Sequence, residues 1–189
     1  MVAAATAAIS ENGRGVAHAR PQLPGTAAAN PAARPLDGAP TNAVKTDRTV
    51  SVATLSNLVD QRSKGAADAG ADIECIAKVV YHEASSQPLP GQLAVAEVIV
   101  NRTRTGGDFP GTACAVANQR GQFFHVAEYH VTKDSQRWRT AVAIARIAQS
   151  GASPRVVPGA LFFHAAYTRP AWSYRRPLVA EVGGQYFYR

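Results

Sequence analysis

The sequence predicts an α+β fold, mainly helical, with a small antiparallel β-sheet or hairpin from the C-terminal part. Three observations carry this. Residues 1–80 contain no Phe, Trp or Tyr, and every aromatic lies from Tyr81 onward. The middle of the chain repeats apolar residues at i, i+3 and i+4, the period of a helix with one buried stripe. The end holds two aromatic, β-favouring runs bounded by Pro and Gly, "GALFFHA" (159–165) and "EVGGQYFYR" (181–189).

Taken in order, the chain opens with "MVAAATAAIS", an apolar run without the preceding basic residue of a full signal peptide. Residues 1–50 are rich in Ala and Pro. Without aromatic or branched apolar clusters they bury too little area to offset their ordering entropy, so they read as a disordered or extended linker. Leu55, Leu58, Val59 and Arg62 fall at helical spacing and predict a short helix at about 53–64 docking on the domain. The boundary falls between an N-terminal segment, 1–70, and a folded domain, 71–189.

The domain's first helix is predicted from Asp72, as N-cap, to Ser86. Ile73, Ile76, Ala77, Val80 and Ala84 form its stripe, and Pro88 and Pro90 stop it. A second helix spans about Gly91 to Thr103. A short helical segment around Cys114 to Asn118 follows the turn "TGGDFPG". A third long helix runs from Asp134 or Ser135 to Ser150, with Gly151 as its stop. Trp138, Val142, Ala145 and Ile147 or Ala148 face the core.

Charge and composition narrow the function. A net charge of +7 favours an anionic partner: nucleic acid, an acidic membrane surface or an acidic polymer such as bacterial cell wall. The plain alternative is solubility. No apolar run is long enough for a transmembrane segment. Cys75 and Cys114 lack CxxC spacing, so a zinc site on them alone is not expected. In an exported protein they form one disulfide; in the cytosol they are two small buried apolar residues. "HEASS" suggests a zinc peptidase but has Ser86 where HExxH needs its second histidine. No metal and no cofactor is expected. The arginines are scattered and no nucleic-acid motif accompanies them, so no nucleic-acid partner is expected either.

One residue breaks the pattern of the first helix. At 100° per residue, Glu83 lies within about 20° of Ile76 and about 40° of Val79 on the helical wheel. It points along or beside the buried stripe. A lone carboxylate there is costly unless paired or protonated, and burial raises its pKa. A carboxylic acid kept protonated near neutral pH is what a glycosidase needs to protonate a leaving oxygen. The competing reading is a boundary glutamate neutralised by an arginine or capping something local.

From Cys75 to Arg189 the chain resembles the SleB/CwlJ-type cell wall hydrolase family, the spore cortex-lytic enzymes among them. The resemblance rests on "CIAKVVYHEASSQPLPGQLAVAEVIVNRTRTGGDFPGTACAVANQRGQFF", then "ALFFHAAYTRPAW", then "GGQYFYR", in that order. Most specific is Tyr-x-Glu-Ala followed by Gly-Gln-x-Ala-Val-Ala-x-Val-x-x-Asn-Arg. The resemblance implies a lysozyme-like catalytic domain, export to the periplasm or cell wall, and cleavage of peptidoglycan glycan strands. It implies Glu83 as catalytic acid/base, and lytic transglycosylation as the reaction. A monomer is expected.

A retaining glycosidase needs a second carboxylate about 5 Å away and an inverting one about 6.5–9.5 Å away. Glu128 is the best candidate, ahead of Glu97 (helix surface or structural), Asp108 (in a turn) and Asp134 (a cap). A transglycosylase avoids the need, because the muramic 6-hydroxyl is itself the nucleophile. The alternatives are a hydrolytic muramidase and a non-catalytic peptidoglycan-binding module. Substrate-binding candidates are Gln122 and Phe123 of "RGQFF", His164 of "FFHA", Tyr167 and Trp172 in the loop between strands, and Tyr81 beside the glutamate. Each has a bland counterpart as turn or core packing. Asn101 and Arg102 lean structural. The family often carries His where this chain has Gln185, which bears on the C-terminal assignments.

Overall fold

Residues 51–65 and 69–189 are described by a computed structural model. The linker expected at 1–50 lies outside the described residues. Among the described residues five helices precede three strands. The mainly helical α+β class holds.

Helix α1 (Val52–Ser63) places Leu55 and Val59 on one face, and both are buried against α5 (Gln136–Ser150) in the common core. Each such burial stabilises by roughly 1.5–3 kcal/mol. Helix α5 begins where a cap was expected: Ser135, not Asp134, accepts the Trp138 amide at 3.1 Å. It ends at Gly151 in the left-handed region, at φ 68°.

Helix α2 (Ala71–Ala84) corrects the expected cap. Gly70 is the N-cap, and Asp72 sits in the first turn. Its carboxylate accepts the Cys114 amide at 2.9 Å. That amide is one of the unpaired donors at the start of α4 (Ala113–Ala117), so the aspartate caps a different helix from its own. Cys75 and Cys114 form a disulfide across the same contact.

The chain leaves α2 at Ala84, two residues before the expected end, and re-enters α3 (Leu89–Thr105). Pro90 starts α3 rather than stopping α2, because the first helical turn needs no amide partner there. Every residue from Gly91 to Arg102 is buried. Helix α3 is thus central, and its polar residues work inward. Asn101 donates to Val157 and Ala160 carbonyls, and Arg102 to the Leu161 carbonyl at 2.7 Å. Glu97, buried rather than on the helix surface, accepts the Val156 and Val157 amides. Three side chains of one helix thereby hold the backbone of 156–161, which leads into the sheet.

That sheet has order β1–β3–β2, all antiparallel: β1 (Phe162–Ala165), β2 (Leu178–Val182) and β3 (Gln185–Tyr188). The two aromatic runs do pair, Phe163 opposite Phe187. The third strand, β2, is additional. Gly183 and Gly184, both at positive φ, close the β2–β3 hairpin. A Cβ on Gly183 would sit 2.9 Å from Gln87 Oε1 and 3.2 Å from Gly91 Cα. Glycine there lets the hairpin dock on the α2–α3 corner, just beyond Glu83.

Candidate active site

Glu83 is the penultimate residue of α2. Its side chain is 6% exposed, while that of His82 is 26% exposed. His82 Nδ1 lies 3.0 Å from Glu83 Oε1 and donates to it. The other carboxyl oxygen has no hydrogen-bond partner among the described residues. Burial pushes the Glu83 pKa above the ordinary glutamate value, and the His82 hydrogen bond and charge pull it part of the way back. The carboxyl therefore holds its proton to higher pH than a solvated glutamate, with one oxygen free to offer it.

Aromatic side chains wall this position. Phe124 stacks on the His82 ring at 4.0 Å between centroids, and Tyr129 meets both His82 (5.2 Å) and Phe124 (4.7 Å) edge-on. Tyr81 lies against Tyr129 and Trp138, at 6.3 and 6.2 Å. Tyr129 feels the glutamate directly. Its hydroxyl pKa is raised first by burial, then by the neighbouring Tyr81, with a smaller contribution from the Glu83 charge. The loop carrying Phe124 and Tyr129 is fixed from α4: Asn118 donates to the Cys114 carbonyl and accepts the Ala127 amide at 3.0 Å. The disulfide ties α4 to α2, so both walls hang from the helix that bears Glu83.

Of the residues singled out in sequence, Glu83 and Tyr81 share this cluster. Gln122 is half-buried on the same loop; its amide donates to the Gln119 carbonyl in a tight turn. Phe123 turns the other way, packing against the core beside Phe163 with the Arg102 guanidinium 5.4 Å from its ring. Its neighbour Phe124 meets the site instead. Glu128 is exposed, ending a 3-10 turn (Val126–Glu128), and its carboxylate enters no hydrogen bond or ion pair among the described residues. His164 and Trp172 contact each other, and both contact Tyr188, on the sheet. Tyr167 is 73% exposed. Gln185 is buried in β3, its side-chain oxygen unpartnered. No group of three or more His, Cys, Asp or Glu side chains placed to hold a metal occurs among the described residues.

Phe124 and Tyr129 were missed. They follow neither a helical nor a strand period. The only signal is the density of aromatic and His residues in "QFFHVAEYH" (122–130), a loop rich in rings with no apolar stripe to explain them.

Comparison with known proteins places the chain in a family. Residues 86–188, more than half of the chain, match the family described as Cell Wall Hydrolase. The match begins three residues after Glu83. A spore cortex-lytic enzyme of Bacillus cereus is 32% identical over 117 residues, covering 61% of this chain and 43% of the relative. One from Oceanobacillus iheyensis is 32% identical over 119 residues, covering 61% and 41%. The chain thus spans less than half the length of these curated relatives. The catalytic domain of the Bacillus cereus SleB protein superposes with a TM-score of 0.52 at 30% identity, over 62% of this chain and 89% of that one. The catalytic domain of the germination-specific lytic transglycosylase SleB from Bacillus anthracis gives 0.54 at 29%, over 65% and 98%.

Proposed function

This chain belongs to the cell wall hydrolase family, and on that footing we propose that it cleaves peptidoglycan glycan strands as a lytic transglycosylase with Glu83 as its acid/base. The bond cut is the one between muramic acid and glucosamine. The observation that carries this is the Glu83 carboxyl: its side chain is 6% exposed, burial raises its pKa above the ordinary glutamate value, and one oxygen has no partner among the described residues. The Bacillus anthracis relative is described as a lytic transglycosylase, which supports the same reaction type here.

The steps follow from one carboxyl. Protonated Glu83 gives its proton to the glycosidic oxygen as the bond from that oxygen to muramic C1 breaks. The muramic 6-hydroxyl oxygen then bonds to C1 and yields its proton to the Glu83 carboxylate. The product is a 1,6-anhydro ring, and the acid is restored without a second carboxylate. The His82 N–H donating to Oε1 steadies the anion between the two steps. Phe124 and Tyr129 pack on His82 beside the carboxyl, and Tyr81, against Tyr129, and Gln122, on the neighbouring loop, are the residues this reading assigns to sugar contact.

Export to the periplasm or cell wall fits the substrate and the Cys75–Cys114 disulfide, which persists in oxidising compartments. The protein works as a monomer in this reading.

Mass spectrometry of digested peptidoglycan tests the reaction. Products one water lighter than reducing ends are expected. Reducing ends would make the enzyme a hydrolytic muramidase and bring Glu128 back as second carboxylate. Wall binding without any product would make it a binding module.

A further inference from the structure

The sheet has two faces, one packed on the helical core and the other crossed by a single turn. Phe163 and Phe187 stack toward the core at 5.7 Å, while His164, Tyr186 and Tyr188 alternate to the opposite face. A 3-10 turn (Ala171–Arg175) crosses that outer face, Trp172 packing on His164 and Tyr188. Between turn and sheet lies a cavity of about 160 Å³ lined by His164, Arg169, Ser173, Tyr174, Tyr186 and Tyr188, with Leu178 at its edge. None of these residues belongs to the cluster around Glu83.

The lining is organised. His164 Nδ1 donates to the Ala165 carbonyl at 2.8 Å, so in the neutral ring Nε2 accepts the Tyr188 hydroxyl at 3.0 Å. Ser173 donates to the Pro170 carbonyl and also meets the Tyr188 hydroxyl. The floor is thereby set, while the Arg169 guanidinium and the Tyr174 and Tyr186 hydroxyls remain as donors. The rim is apolar: Tyr174 is 72% and Leu178 56% exposed. Exposed aromatics beside a cation stack on the C–H faces of sugars and anchor interfaces.

Charge selects the ligand. From Ser135 to the last residue Glu181 is the sole carboxylate side chain, against eight arginines. Arginine's planar fork matches a carboxylate. Size limits the fit: ligand pockets usually enclose about 300–1,000 Å³, so this one takes a head group, not a glycan strand.

We propose that this pocket docks a free carboxylate of the cell wall, either the lactyl carboxylate of a muramic residue that carries no peptide stem or a carboxylate of the stem itself, on a surface separate from Glu83. The inference rests on the reading that peptidoglycan is the substrate. Its effect is to hold the strand or a neighbouring stem while Glu83 works elsewhere.

The test uses the full chain carrying Glu83→Gln, so that no ligand is consumed. Labelled protein is titrated with N-acetylmuramic acid, L-alanyl-D-glutamate, N-acetylglucosamine and inorganic phosphate, following Tyr174, Tyr186 and the Trp172 indole by NMR. Shifts with N-acetylmuramic acid identify the lactyl source, and shifts with the dipeptide the stem. In either case adding Arg169→Gln weakens binding by about tenfold, the loss of one charge-assisted contact, and N-acetylglucosamine leaves the pocket unmoved. Equal response to N-acetylglucosamine, equal response to phosphate, or no response to either carboxylate overturns the proposal. Digestion of peptidoglycan by the unmutated chain is scored separately. Cleavage without pocket binding removes this site and leaves the enzyme; pocket binding without cleavage does the reverse.

Discussion

Two buried glutamates, Glu83 at the end of α2 and Glu97 in the middle of α3, have the same side chain and opposite situations. Burial raises the pKa of both. Glu97 is 2% exposed and spends its carboxylate on two backbone amides, Val156 at 3.1 Å and Val157 at 2.8 Å, with the Arg155 charge nearby. Among the described residues Glu83 has one side-chain hydrogen bond, to the ring of its own sequence neighbour, and its other oxygen has no partner. Burial alone does not make a general acid. What distinguishes the two is spare bonding capacity: one carboxylate fixes a loop, the other is left free to exchange a proton.

The same isosteric change at both positions should give opposite results, and activity shows the largest difference. Glu83→Gln is expected to lower kcat for peptidoglycan cleavage by about 10²–10⁴, the usual share of general acid–base catalysis, with the fold intact. Glu97→Gln should leave the folded protein's turnover nearly unchanged. Release of soluble wall fragments from purified sacculi measures both. Full activity in the Glu83 variant would remove it from the chemistry.

Stability shows the second difference, in the reverse direction. An amide at 97 keeps one acceptor but turns an NH₂ group toward a buried N–H. Glu97→Gln should cost about 1–3 kcal/mol, the penalty of an unsatisfied buried donor, read as a lower urea midpoint. Glu83→Gln should stabilise, and only over part of the pH range. The folded-state pKa of Glu83 is raised, so its contribution is complete below the ordinary 4.5 and is lost as pH rises through the folded value. The variant has no such loss. The midpoints of wild type and Glu83→Gln should coincide at acid pH and separate above it, in the variant's favour. A pH-independent difference would mean that Glu83 does not titrate from a buried site.

The contrast also explains what could be read from the sequence. Glu83 was conspicuous because α2 has one apolar stripe, and a carboxylate on it breaks a visible period. The α5 cap and stop were legible because Ser135 and Gly151 act locally. Glu97 gave no such signal. Helix α3 is buried on all sides from Gly91 to Arg102, so it has no polar face against which a misplaced charge stands out. Its hydrogen-bond partners lie about 60 residues away. Strand β2 escaped for a related reason: Leu178–Val182 is exposed or half-buried throughout and gains its order by pairing with β3. Asp72 looked like a local cap and serves α4 instead. Phe123 and Phe124 are adjacent and chemically identical, both lie against the core, and only the loop's path sends one to Phe163 and the other to His82.

The smallest expected effect concerns that last contact. The His82 hydrogen bond and charge lower the Glu83 pKa against burial. Phenylalanine at 82 would keep a ring stacked on Phe124 while removing the bond, so the Glu83 pKa should climb further. In the proposed mechanism cleavage needs protonated Glu83 and fails as pH rises through that value, so His82→Phe should move the alkaline limb of kcat/KM to higher pH. The rate on the plateau should fall as well, because the anion formed between the two steps loses its one donor. A limb that stays in place while the rate falls would mean that His82 positions the carboxyl without setting its proton affinity. A limb that moves to lower pH would show that burial at residue 83 depends on His82.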